Sequence, residues 1–204
     1  MRFVQGVTLA VALLGAAPAF AVTLLSEVYY DAVGVDDGQS FVELYGAPGS
    51  SLSGLVIQGV NGTGGAITHT LPLSGVFGAD GLFVLADRTS AGATAVANAD
   101  LLLDFDFQNG PDSVVLRNAL GVLDALGYGV FLAGDVFAGE GAPAVDPAAG
   151  LSVARRFANI DTNNNAADFV AGAPTPGVAQ LPEPSSAALL GLGLLGLARL
   201  GHRP

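Results

Sequence analysis

The chain has 204 residues, 51% of them hydrophobic, with 18 acidic residues against seven basic ones and a formal charge of −11. Such a field repels nucleic acid and anionic lipid, and the absence of cysteine excludes disulfides and thiolate catalysis. A domain without disulfides must be held by burial alone, and the lack of tryptophan argues against a carbohydrate site built on indole stacking.

Taken from the start, Met1-Arg2 carries an early positive charge, the residues from Phe3 to Phe20 are almost continuously apolar, and Ala19-Phe20-Ala21 follows. A charged start, a short apolar run and a small-x-small exit are the parts of a secretory signal peptide. The run is short for the ~20 residues a spanning helix needs. Residues 1–21 are therefore expected to be a signal peptide, with signal peptidase reading Ala19 and Ala21 and the mature chain starting at Val22.

Residues 22–180 are expected to form one domain. All but one of the acidic residues fall there, against four arginines (Arg88, Arg117, Arg155, Arg156). Period-two alternation predicts strands near Val22–Tyr30, Phe41–Tyr45, Leu55–Val60, Ile67–Leu71, Leu82–Ala86, Leu101–Phe107, Ser113–Arg117, Val122–Tyr128, Leu151–Phe157 and Asp168–Val170. Asn61-Gly62-Thr63-Gly64-Gly65 reads as a hairpin loop and Asn109-Gly110-Pro111-Asp112 as a tight turn. Residues 89–99 are alanine-rich and suggest a short helical turn, and Ala133–Gly150 reads as a long surface loop. Short, evenly spaced strands with turn signals predict an all-β fold, a β-sandwich.

Three places invite chemistry. In Phe41-Val42-Glu43-Leu44-Tyr45, alternation buries Val42 and Leu44 and sets Glu43 between two aromatic rings on the outer face. Glu27 and Tyr29 fall on the same face of the preceding strand, so pairing would bring two carboxylates together on a solvated surface, with Arg155 or Arg156 as a neutralising partner. His69 falls on the same parity as apolar Ile67 and Leu71 in Ile67-Thr68-His69-Thr70-Leu71 and is the lone histidine of residues 22–180. One histidine builds no His-rich metal site, and no serine sits in a G-x-S-x-G elbow. Asp161, Asn163 and Asn165 stand at alternate positions with Asp168 after them. That spacing can aim several oxygens at one calcium ion, although Asp and Asn build the same turns without a metal. Calcium is the one cofactor these residues suggest.

At the C-terminal end, Leu181-Pro182-Glu183-Pro184-Ser185-Ser186 leads into an apolar run, Ala187 to Ala198, closed by Arg199, His202 and Arg203. Pro184 cannot continue a helix backwards and Ser185 or Ser186 can cap the one that comes after it. About 14 residues give ~21 Å of helix against a ~30 Å hydrocarbon core, which suits transient rather than permanent insertion. Gly191-Leu192-Gly193-Leu194-Leu195-Gly196 matches G-x-G-x-x-G, but a Pro-Ser segment precedes it rather than a strand, so it is no dinucleotide site.

Pro182-Glu183-Pro184, the apolar stretch and the basic tail resemble the PEP-CTERM sorting signal of Gram-negative bacteria. The resemblance implies that residues 181–204 are recognised and processed by an exosortase in species that also make exopolysaccharide. A second resemblance covers residues 22–178. Ser26-Glu27-Val28-Tyr29-Tyr30-Asp31, Asp36-Asp37-Gly38, Phe41 to Tyr45 and Leu52-Ser53-Gly54-Leu55 are similar to the opening of a lamin-tail domain. Ser152 to Arg156, Asp161 to Phe169 and Pro174-Thr175-Pro176-Gly177 are similar to its close. That resemblance implies an immunoglobulin-like β-sandwich, and the chain departs from the family pattern at Gly46 and Leu55.

The expected function is that of an exported, non-catalytic cell-surface or extracellular-matrix protein acting through binding. The alternatives are a calcium-stabilised exopolysaccharide-binding module and a glycoside-type hydrolase using Glu27 and Glu43. Expected partners are signal peptidase and exosortase during export, then exopolysaccharide or surface proteins, with the C-terminal helix touching the membrane transiently and no role for nucleic acid. The expected location is the cell surface, outer membrane or extracellular matrix of a Gram-negative bacterium.

Overall fold

A computed structural model describes residues 23–182. The expected signal peptide, Glu183 and Pro184 of the expected sorting signal and the expected apolar C-terminal helix lie outside the described residues. Strands account for 36% of the structure and helix for 2%, so the all-β expectation holds.

Ten strands form two sheets among the described residues. The first is ordered β10 (Phe169–Gly172), β9 (Ser152–Arg155), β1 (Leu24–Tyr29), β2 (Phe41–Tyr45), β5 (Leu82–Asp87) and β6 (Leu101–Leu103). All its neighbours are antiparallel except β5 and β6. The second runs β4 (Ile67–Pro72), β3 (Val56–Asn61), β7 (Asp112–Asn118) and β8 (Gly121–Tyr128), antiparallel throughout. One apolar core joins them: Leu25, Val28, Val42, Leu44 and Leu85 from the first sheet meet Ile57, Val114, Leu116 and Leu126 from the second. Burial of this shared face drives the fold.

Each predicted strand has a counterpart, with two departures. β6 stops at Leu103 rather than Phe107, because the chain turns Phe105 and Phe107 into the core and the Phe105 N–H donates to the Asp87 carboxylate at 3.0 Å. The helical turn expected over residues 89–99 is absent; loop backbone there, with Gly92 and Asn98 at positive φ, packs over the outer face of the first sheet. A four-residue helix, α1 (Asn165–Asp168), precedes β10 and was not expected.

Two local features shape β1 and the chain leaving β2. In β1 the register shifts between Leu25 and Glu27. Leu25 and Val28 therefore both enter the core, which strict alternation would forbid, while Glu27 keeps the outer face. Gly46, where the chain departs from the lamin-tail pattern, is required by packing: a Cβ there would lie 2.5 Å from the Phe77 ring.

Candidate functional site

Glu27 and Glu43 stand directly opposite in the β1–β2 register, with Tyr29 opposite Phe41 on the same two strands. The structure thus brings the two carboxylates onto one face, as the alternation predicts. The face is not solvated, however: Glu27 is 1% and Glu43 0% exposed. Neither Arg155 nor Arg156 neutralises the pair. Arg155 points the other way, into the core, and exposed Arg156 donates to the Ala167 carbonyl.

The cover is the chain itself. After β10, residues 173–181 cross the outer face as a strap. The Thr175 N–H donates to Glu27 Oε1 at 3.0 Å and its hydroxyl to Oε2 at 2.8 Å, while the Ser152 hydroxyl also donates to Oε1. The Gly177 N–H donates to Glu43 Oε2 at 2.7 Å. Asn98 Nδ2 donates to the Pro176 carbonyl at 2.9 Å, and the Ala158 N–H donates to the Gln180 carbonyl at 2.8 Å. Gly177 has φ +82, and a Cβ there would meet Asn98 at 2.6 Å, so the strap needs glycine at this point. Clefts of about 230 and 390 Å³ flank it, one against Tyr29, Phe41, Val96, Pro174 and Pro176, the other against Asp80, Asn98 and Asp100.

Glu43 Oε1 is buried with no hydrogen-bond partner among the described residues. Burial pushes the Glu43 carboxyl up to about 7, with Glu27 and Asp80 adding to the rise and Ser26 and the Gly177 N–H opposing it. Glu27, with three donors, is the better satisfied of the two.

A second polar centre lies inside, between the sheets. Arg155, on the same parity as core Val153, is 3% exposed. Its Nη2 donates to Asp124 Oδ2 at 2.7 Å and its Nη1 to Asp168 Oδ2 at 3.1 Å, with Asp161 Oδ1 at 3.4 Å. Its Nε donates to the Leu25 carbonyl at 2.9 Å, and the Leu25 N–H donates back to Asp124 at 2.6 Å. The β1 bulge therefore feeds both Leu25 backbone groups into this network. The guanidinium also stacks on Phe169, 4.5 Å from the ring centroid.

The four residues with calcium-like spacing do not converge on one point. Asp161 and Asp168 share Arg155, and Asp168 also accepts from the Thr162 N–H and hydroxyl. Burial works against the Asp168 carboxylate, but the Thr162 donors, Arg155 and the Asn164 N–H hold it below its ordinary value. Asn163 takes φ +55 in a turn whose N–H bonds the Asp161 side chain. Asn165 faces away: Oδ1 accepts from Gly127 and Glu140, and Nδ2 donates to the Ala125 carbonyl. The carboxylate oxygens that do approach one another, within 4.8 Å, belong to Asp124, Glu140 and Asp161. Glu140 is lifted to about 7 by burial and by those two aspartates. Arg155 already supplies positive charge at this spot. Asp124 and Glu140 were not singled out in the sequence; Asp124 on the buried parity of a strand, beside Leu126 and Tyr128, was the available signal.

His69 is half-buried on β4, its ring edge-on to Phe107 at 5.7 Å and its Nε2 3.4 Å from the Asp106 N–H. Its Nδ1 lies 3.2 Å from the hydroxyl of the adjacent Thr68. Among the described residues, no helix is long and apolar enough to cross a membrane. The strap leads directly into Pro182, the first residue of the sorting triplet.

Compared with known proteins, residues 180–203 match the PEP-CTERM protein-sorting motif. No curated protein matches the chain. The motif marks an exported bacterial protein with a surface or extracellular destination, processed by an exosortase.

Proposed function

We propose that the chain is a non-catalytic surface or matrix protein of a Gram-negative bacterium, in which a folded β body acts through binding or structural interaction. The sorting-motif match carries this reading. Residues 1–21 serve as the export signal, cleaved after Ala21. Residues 22–180 form an immunoglobulin-like, lamin-tail-like sandwich. Its support is spatial: the opening and closing stretches that resemble that family, in β1, β2, β9 and β10, lie side by side in one sheet. The strap supports a non-catalytic role, because Glu27 and Glu43, the carboxylate pair considered for glycoside hydrolysis, accept hydrogen bonds from Thr175 and Gly177.

The second reading, a calcium-stabilised exopolysaccharide-binding module, has one observation in its favour, the approach of Asp124, Glu140 and Asp161. Melting curves of the folded body in millimolar calcium and in EGTA separate the two. A ligand at a hundredfold excess over its Kd adds about 2.7 kcal/mol, or roughly 5–10 °C for a domain of this size. With Arg155 in the cluster, the expected result is an unchanged midpoint; a calcium-dependent rise of that size would favour the calcium-binding module instead.

A further inference from the structure

The strap joins the folded body to the sorting segment, and the way it is held limits what can reach that segment. The Gln180 carbonyl is bonded to the Ala158 N–H, and Leu181 alone separates Gln180 from Pro182. An extended chain from Gln180 reaches Glu183 in about 10 Å, against a body with a radius of gyration of about 15 Å. Pro182, the first residue of the triplet, is therefore kept within two residues of a bonded strap position while the strap is down. An enzyme that grips an extended segment needs free backbone beside it. Lifting the strap back to Gly172, the end of β10, lengthens the tether to roughly 36–40 Å.

What holds the strap down is chemically specific. Its hydrogen bonds are backbone N–H groups and one hydroxyl donated to Glu27 and Glu43, plus the Asn98 amide on the Pro176 carbonyl and the Ala158 N–H on the Gln180 carbonyl. Val178 is 65% and Leu181 46% exposed, so apolar burial anchors the far end of the strap weakly. Such a segment can open locally while the body stays folded.

We propose that the strap is the positioning element of the sorting reaction: Glu27 and Glu43 hold Thr175–Gly177, and the sorting segment is processed from the state in which the strap has lifted. This rests on the exosortase assignment and not on the body's binding role. Gly177→Ala is strained at φ +82 and drives a methyl group into Asn98, which raises the lifted fraction roughly tenfold. A Gly/Ser linker of about eight residues inserted after Leu181 lengthens the tether without touching the strap.

The test is pulse-labelling of the full chain in its native host, with processing followed by intact mass. Hydrogen exchange at the Thr175 and Gly177 amides reports strap opening. The expected result is faster processing of both variants, up to roughly tenfold, with Gly177→Ala adding nothing once the linker is present. The linker form keeps the wild-type strap, so it decides the matter even if Gly177→Ala folds poorly. Processing of the linker form at the wild-type rate would overturn the positioning role and leave the sorting assignment standing. A wild-type chain that is exported but never processed would overturn both.

Discussion

Replacing Arg155 with methionine should destabilise the folded body by about 3–5 kcal/mol, the cost of leaving buried carboxylates without their cation. The side chains of Asp124 and Asp168 are 0% and 3% exposed, and Arg155 bonds both. Methionine fills much of the aliphatic volume but returns no donor to Asp124, Asp168 or the Leu25 carbonyl. For a domain of this size the loss corresponds to a midpoint lower by roughly 10 °C. Arg155→Lys should recover only part of it, since one ammonium cannot serve acceptors lying in three directions.

The deficit also has a pH signature. Without the guanidinium, burial raises the carboxylate pKa values, so the folded variant binds protons that the unfolded chain has released. The variant should therefore regain stability as pH falls towards 5, which urea titrations at two pH values would read. A loss below about 1 kcal/mol, the size of a surface ion pair, would mean that the inter-sheet network contributes little.

Glu43→Gln should act in the opposite direction. The Glu43 carboxyl sits at about 7 when folded against 4.5 as its ordinary value. Between those values the folded state holds a proton that the unfolded state has lost. Stability therefore falls as pH rises from about 4.5 to about 7 and is level above that. The full shift is worth about 3 kcal/mol at 1.36 kcal/mol per unit. A neutral glutamine can still accept from the Gly177 N–H, so the variant should be more stable than wild type by roughly 1–3 kcal/mol at pH 8. At pH 5 the two should be nearly equal. Glu140, also near 7 but part-exposed, would leave a smaller residual slope in the variant. Equal effects at both pH values would show that Glu43 is charged in the folded body.

Much of the fold was legible because alternation and turn residues are local. β2 was expected over Phe41–Tyr45 and spans those residues. The parity that placed Glu27 and Glu43 on one face was equally local, and the register confirms it. What covers that face was not legible. Gly177 lies 134 positions along the chain from Glu43, and no periodicity reports a contact of that kind. The loop over residues 89–99 illustrates the converse failure. Alanine favours helix, but Gly92 and Asn98 take left-handed conformations, and Val96 and Ala99 pack against Phe41 and Val84.

Spacing in the calcium-like stretch met a related limit. Spacing alone could group Asp161, Asn163, Asn165 and Asp168, but their side chains answer to Arg155 on β9 and to the backbone of β8. Charges of opposite sign on the buried parity of two strands, Asp124 and Arg155, held the usable information. Such residues are rarely buried unless paired, so their positions in otherwise apolar alternations pointed to a partner across the core.

Export and sorting are tested most directly by the intact mass and compartment of the native protein. The expected species is a surface or extracellular one that starts at Val22 and lacks the apolar run and basic tail after the sorting triplet. A chain recovered from the inner membrane with residues 182–204 still attached would contradict it.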